Sequence, residues 1–257
     1  MTTPKARAVS QYGTTTENLA ARIALHAYGT NPQDWFSWLG ERLALDGDVL
    51  EVGAGTGELW RRIGWLGSRV TLADFSAAMC GRLRAVPGAR VVRCDAAGLP
   101  FATGCFDAVI ANHMLYHLDD PEVALREFAR VLRPGGRLAV AVNGPGHMRE
   151  VADVGASIGR PDLAPAAVNP AAVNNDFDAE SGPVRVGRWF SGVTVERYRC
   201  DLAVPATEPV LDYLRSIAPL SAVEEARARE LVAARIAGDG VFRVGKHTVL
   251  MRARRGG

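Results

Sequence analysis

The sequence predicts an α/β fold in which a parallel sheet carries helices on both faces. Three observations predict it. Between Asp48 and Asn143 short apolar runs alternate with helical patterns, strand, helix, strand in repetition. The first of these runs passes directly into a glycine turn, Gly53-Ala-Gly-Thr-Gly57, and ligands of open α/β sheets bind at the carboxyl ends of the strands. The length of 257 residues, 48% of them hydrophobic and 23% charged, suffices for one full-sized core with insertions.

Taken in order, Thr14-Thr15-Thr16-Glu17 has capping-box spacing ahead of Leu19, Ile23 and Tyr28. Asn31-Pro32 opens a second amphipathic pattern through Trp35, Trp38, Leu39 and Leu43. Two helices thus form an N-terminal helical cap over residues 1–46, and residues 47–257 read as one domain. Its strands are expected at Val49–Val52, Arg69–Ala73, Ala89–Arg93, Phe106–Ala111 and Arg137–Val142, with helices at Glu58–Ile63, Ser76–Val86 and Pro121–Leu132. After Asn143 the pattern weakens. Residues 144–183 contain the tandem-looking Ala-Ala-Val-Asn-Pro-Ala-Ala-Val-Asn-Asn and read as an ordered insertion or lid, whose end Phe177, Trp189 and Phe190 pack down. A sixth strand is expected over Val193–Cys200, a helix from Ser221 to Ala237 ended by Gly238, and a last strand over Val241–Arg252. The gaps are too short for a second core. Insertions at about 144–190 and 202–238 are expected to cover the carboxyl ends of the strands.

Thirty basic against twenty-eight acidic residues leave a net charge of +2, which gives no domain-wide footprint for nucleic acid. Lysine occurs only at Lys5 and Lys246; this arginine bias, with abundant Ala and Gly, reads as GC-rich coding and a bacterial source. Cys80, Cys94, Cys105 and Cys200 form no Cys-x-x-Cys, and the first residues lead into no apolar signal region, so a cytoplasmic protein with reduced thiols is expected. No apolar run approaches the ~18 residues of a membrane span.

The glycine turn is the most informative segment. The dinucleotide pattern Gly-x-Gly-x-x-Gly fails at Glu58, and no Gly-Lys-Ser or Gly-Lys-Thr follows. Glu51, Gly53, Gly55 and Gly57 give instead acid-x-Gly-x-Gly-x-Gly. Asp74 closes the second strand, Cys94-Asp95-Ala96 with Leu99-Pro100-Phe101 follows the third, and Phe106-Asp107-Ala108-Val109 and Leu132-Arg133-Pro134-Gly135-Gly136 come later in the same order. Across residues 48–142 the chain resembles the class I S-adenosylmethionine-dependent methyltransferases. Asn112-His113-Met114-Leu115-Tyr116-His117-Leu118 resembles the segment after strand four in their small-molecule branch, type 11. The resemblance implies a Rossmann-like, seven-stranded, mostly parallel sheet with an antiparallel last strand. It also implies S-adenosylmethionine as cofactor, S-adenosylhomocysteine as product, and Asp74 and Asp95 as acceptors from the ribose diol and the adenine amino group. Phe75 would lie against the adenosine and Met79 either below it or on the sheet-facing side of its helix, with Ala54, Ala96, Asn112 and His113 completing the contacts. Tyr12 reads either as an N-terminal aromatic over the donor or as an exposed tyrosine on an arm.

The expected reaction is methyl transfer to a small-molecule acceptor, in bacterial specialised metabolism, with no nucleic acid, membrane or metal partner; the oligomeric state is left open, a homodimer among the options. A sulfonium donor needs mainly a positioned nucleophile and exclusion of water. His117 reads as general base or orienting group, or as a histidine at the cofactor rim, with His113 next in line. His26 reads as packing or an entrance wall, and Trp35, Trp38, Tyr116 and Trp189 as an aromatic acceptor pocket or as core. Three rival readings are a SAM-binding enzyme with non-methylating chemistry such as cyclisation, a NAD-dependent oxidoreductase, and a non-catalytic interaction protein, which would need a degraded cofactor loop where this one is intact.

Overall fold

A computed structural model describes residues 22–43, 45–64, 69–164 and 177–257. The capping box at 14–17, Leu19, Tyr12 and the tandem-looking run at 166–175 lie outside the described residues.

In chain order the elements are a 3-10 turn at His26–Tyr28, α1 Trp35–Gly40, β1 Asp48–Val52, α2 Glu58–Ile63, β2 Arg69–Asp74, α3 Ala77–Leu83, β3 Arg90–Arg93 and β4 Phe106–Asn112. There follow a 3-10 turn Leu115–His117, α4 Pro121–Val131, β5 Leu132–Asn143, α5 Arg149–Ser157 and α6 Gly182–Val186. The chain continues with β6 Ser191–Tyr198, β7 Leu202–Val204, α7 Glu208–Ile217, α8 Ala222–Asp239, β8 Phe242–Val244 and β9 Thr248–Arg254. Seven strands form one sheet in the order β3-β2-β1-β4-β5-β9-β6. β1 to β5 pair in parallel, and β9 runs antiparallel to both its neighbours. This is the predicted sheet, antiparallel last strand included.

Local chemistry explains the boundaries. Ser76 accepts from the Met79 N–H at 3.3 Å and starts α3, and Asp120 caps α4 ahead of Pro121. Ser221 and Glu224 form the reciprocal capping box of α8. α1 begins at Trp35 and not at Asn31-Pro32. Asn31 is occupied by the Arg199 carbonyl and the Gln33 N–H, while Asp34 accepts from Phe36 and Ser37. α8 runs through Gly238 and ends at Gly240, the residue that takes the left-handed conformation at φ +75°.

The last strand divides at residues 245–247. β8 pairs with β7 in a separate two-stranded sheet, while β9 belongs to the large one. Leu50, Val52, Leu125 and Phe128 lie in the core on one side of the large sheet, and Val49, Leu72, Trp38 and Leu39 in that on the other. A third apolar cluster joins Leu25, Val151, Val204, Leu211, Leu214, Val232, Phe242 and Val244. This cluster forms because short segments distant in sequence pool their apolar faces. The later motifs are structural: Asp107 accepts from the Asp48 N–H and pairs with Arg133 at 2.6 Å, tying the strand beginnings together.

Candidate active site

A cavity of about 1600 Å³ opens at the carboxyl ends of β1, β2, β4 and β5. Its first wall is the glycine turn. The Gly53 and Ala54 N–H groups both donate to the Ala73 carbonyl, at 2.8 and 3.1 Å, which binds the turn to β2. Gly53, Gly55 and Gly57 have φ of +70°, +57° and +78°, a region that side chains disfavour. A Cβ on Gly53 would stand 2.7 Å from the Met114 Cβ, and one on Gly57 2.8 Å from Val86. At these two positions the close approach is protein against protein. Gly57 does not line the cavity, in contrast to the cofactor contact expected of it, because it turns toward α3 and the Val86 that follows it.

Asp74 is held by two backbone donors, Gly55 N–H to Oδ2 at 3.0 Å and Ser76 N–H to Oδ1 at 2.9 Å. Each oxygen retains acceptor capacity for a ligand hydroxyl. Burial raises the Asp74 pKa, and backbone bonds from Ser76, Gly55 and Phe75 act against the rise. Glu51 is buried and accepts from the Trp60 indole N–H at 2.6 Å. Desolvation pushes its pKa up to about 8, against the Trp60 bond and with help from the Asp74 charge. Asp95 sits in a tight turn, its Oδ1 accepting from the Ala97 N–H at 3.1 Å. Phe75, Met79, Ala96 and Asn112 line the same space.

The opposite wall is aromatic and basic. The Trp35 ring stacks on Trp38 and lies 5.4 Å from His113 and 5.3 Å from Tyr198. Tyr116 packs on His117 at 4.5 Å. Of the four aromatics expected there, Trp35 and Tyr116 line the cavity. Trp38 is buried behind Trp35, and the half-exposed Trp189 donates instead to Glu122 at 2.8 Å. His113 and His117 both reach the cavity, and burial holds their pKa values near 3 and 4, the first lowered further by Lys246 and the second by Arg22. His26 also lines it and retains exposed surface, yet the protein around it disfavours its charged form. No group of three or more His, Cys, Asp or Glu among the described residues is placed to hold a metal.

Three buried polar atoms on these walls make no hydrogen bond with any described residue: Asn112 Oδ1, His113 Nδ1 and Trp35 Nε1. Such atoms each cost ~1–3 kcal/mol when unsatisfied. Together with the Asp74 and Asp95 carboxylates they fit a polar ligand as large as a nucleoside with an amino-acid tail.

Residues 50–140 match the family described as "Methyltransferase domain". This stretch resembles a methyltransferase domain. Demethylmenaquinone methyltransferase of Corynebacterium urealyticum is 42% identical over 101 residues, 38% of this chain and 43% of that one. The enzyme of the same name from Mycolicibacterium vanbaalenii is 45% identical over 94 residues, 36% and 40%. The chain thus spans less than half the length of these relatives. Among solved structures, a SAM-dependent methyltransferase of Thermotoga maritima superposes with a TM-score of 0.58 at 17% identity, over 95% of this chain and 98% of that one. The [4+2]-cyclase SpnF gives 0.61 at 21% identity, over 100% and 98%. These two likenesses concern the fold.

Sequence reasoning missed several residues that the methyltransferase domain and its flanks bring to the cavity: His147, Tyr198, Cys200 and Lys246. They sit in segments without a motif. The one available signal was Lys246 itself, a lysine in a chain that otherwise uses arginine.

Proposed function

We propose that the chain transfers a methyl group from S-adenosylmethionine to a small-molecule acceptor, as a cytoplasmic bacterial enzyme of biosynthesis. One observation carries this reading: the cavity is lined by two chemically different sets of residues. Asp74 and Asp95 with the glycine turn suit hydroxyls, an amino group and positive charge, and Trp35, Tyr116, His113 and His117 suit an acceptor. S-adenosylmethionine, when bound, supplies a methyl on a sulfonium whose transfer to an acceptor lone pair leaves neutral S-adenosylhomocysteine.

The chain's own residues position and shield. Asp74 would receive the ribose hydroxyls and Asp95 the adenine amino group, with Phe75 and Met79 against the adenosine. Glu51 would ionise beside a cationic ligand. His117 and His113 are neutral at physiological pH, so they accept a hydrogen bond from the acceptor and orient it; values near 3 and 4 make them weak bases. Proximity and exclusion of water then account for most of the rate. No helix among the described residues is long and apolar enough to cross a membrane, and the free thiols of the four cysteines suit a reducing compartment.

The deciding experiment is calorimetry with S-adenosylmethionine, S-adenosylhomocysteine and NAD, followed by a screen of small acceptors for S-adenosylhomocysteine release. Binding of the first two alone, with stoichiometric release under turnover, is the expected result. Product formation without that release would assign a non-methylating reaction, and NAD binding would overturn the donor.

A further inference from the structure

The join between β8 and β9, residues 245–247, is fixed by every one of its backbone groups. The Gly245, Lys246 and His247 N–H groups donate to Glu150 Oε2 at 2.9 Å, Asp201 Oδ1 at 3.0 Å and His147 Nδ1 at 3.1 Å. Their carbonyls accept from the Met148 N–H, the Arg197 guanidinium and the Gly144 N–H, at 2.8, 3.2 and 2.9 Å. A loop so pinned holds its side chains in one place. It directs Lys246 into the cavity, where only 8% of the residue's surface is exposed.

The ammonium makes no hydrogen bond or ion pair with any described residue; its neighbour is the Tyr198 ring, 5.6 Å from the centroid. The other groups that face it are His26, His113 and His147, each electrostatically coupled to it, and Cys200 and Asp201, which favour its charge. The His147 Nδ1 already accepts from His247, so the proton of its neutral ring is on Nε2, a further donor. Burial disfavours the ammonium more than those two groups favour it, and an anion that enters beside it relieves that cost. Lys246 stands just before the start of β9, four strands across the sheet from β2, which ends in Asp74.

We propose that Lys246, with His147 beside it, anchors the acceptor, and that the acceptor presents an anionic oxygen, a carboxylate or an ionised phenol or enol, to this end of the cavity. The inference rests on the methyltransferase reading above for its word acceptor. The donor's own carboxylate is the competing source of such an oxygen.

The test uses the sequence's economy: with two lysines, protein labelled with ¹³C-lysine gives two Cε signals by NMR, and Lys5 is the internal control. Spectra of the full chain loaded with S-adenosylhomocysteine are recorded with millimolar benzoate, 4-nitrophenolate and, as the neutral counterpart, benzamide. The expected result is that either anion moves the Lys246 signal and raises its titration midpoint, while benzamide and Lys5 show no change. Lys246→Met should weaken anion binding roughly tenfold to a hundredfold and leave S-adenosylhomocysteine affinity within about twofold of wild type. The proposal is overturned if neither anion shifts the wild-type signal, which needs no variant to fold, or if benzamide shifts it equally. Loss of S-adenosylhomocysteine affinity in Lys246→Met would overturn it in favour of the donor's carboxylate. Failure of wild type to bind S-adenosylhomocysteine is a separate result, against the donor reading, and it would remove the acceptor role with it.

Discussion

Trp60, on the helix that follows the glycine turn, donates its indole N–H to Glu51, on the strand before it, at 2.6 Å. The bond clasps the two ends of the turn and leaves a buried carboxyl with a pKa of about 8. At neutral pH this group is largely protonated. A cationic ligand placed beside it would bring its pKa down, so donor binding should release a proton. Calorimetry in two buffers of different ionisation enthalpy should give different apparent enthalpies, and identical values would uncouple Glu51 from the ligand. Trp60→Phe should raise Glu51 further and weaken donor binding by about tenfold.

Asp74 should contribute to affinity more than to folding. Asp74→Ala is expected to raise the donor Kd roughly tenfold to a hundredfold. Circular dichroism and the melting profile should show a folded protein with the same sheet. Donor affinity equal to wild type would end the assignment.

Gly53→Ala should act in the reverse sense. A side chain at φ +70° meets the Met114 Cβ at 2.7 Å, so a stability loss of ~1–3 kcal/mol is expected in a denaturant titration. Gly53→Ala combined with Met114→Ala relieves the contact but not the dihedral. Partial recovery of stability should follow, and none at all would mean that the contact contributes nothing.

The histidines predict a flat activity profile. With His113 near 3 and His117 near 4, neither changes charge between about pH 6 and pH 8, where an ordinary histidine would titrate. Turnover should therefore show no histidine inflection in that range. His117→Ala should lower kcat with this profile unchanged; an inflection near 6.5 that disappears in the variant would show a basic histidine in the bound state.

The same burial predicts opposite pH slopes of stability. His117 and His113 have depressed values, so the unfolded chain binds more protons below about pH 6.5 and stability falls as pH drops toward 4. Glu51 is raised, so its contribution is present below about pH 4.5 and is lost as pH rises through about 8. Melting temperatures measured across this range should pass through a maximum. His117→Gln should flatten the acid side alone, and Glu51→Gln the alkaline side.

The part of the cavity proposed to hold the donor was legible because its chemistry is contiguous. Glu51, the glycine turn, Asp74 and Asp95 each stand at the end of a strand, and a strand end is marked by where an apolar run stops. The part proposed for the acceptor is assembled from the residues around His26, His113, His147, Tyr198 and Lys246, which no spacing connects. The two-stranded sheet escaped notice for the same reason: Leu202–Val204 and Phe242–Val244 are three residues each, too short for alternation to register. The division of the last strand depends on Glu150, Asp201 and His147 competing for its backbone, and those partners lie 45 to 100 positions away.

Strand registers on both sides of residues 245–247 are set by different sheets, β8 against β7 and β9 against β5 and β6. Neither side can slide to absorb an added residue, since a slip of one position would exchange the buried and outward faces of a whole strand. The join is therefore intolerant of changes in length. The cavity wall can diversify here by exchanging the side chain at 246, while loop lengthening, the ordinary route by which surface connections vary, would disturb two sheets at once.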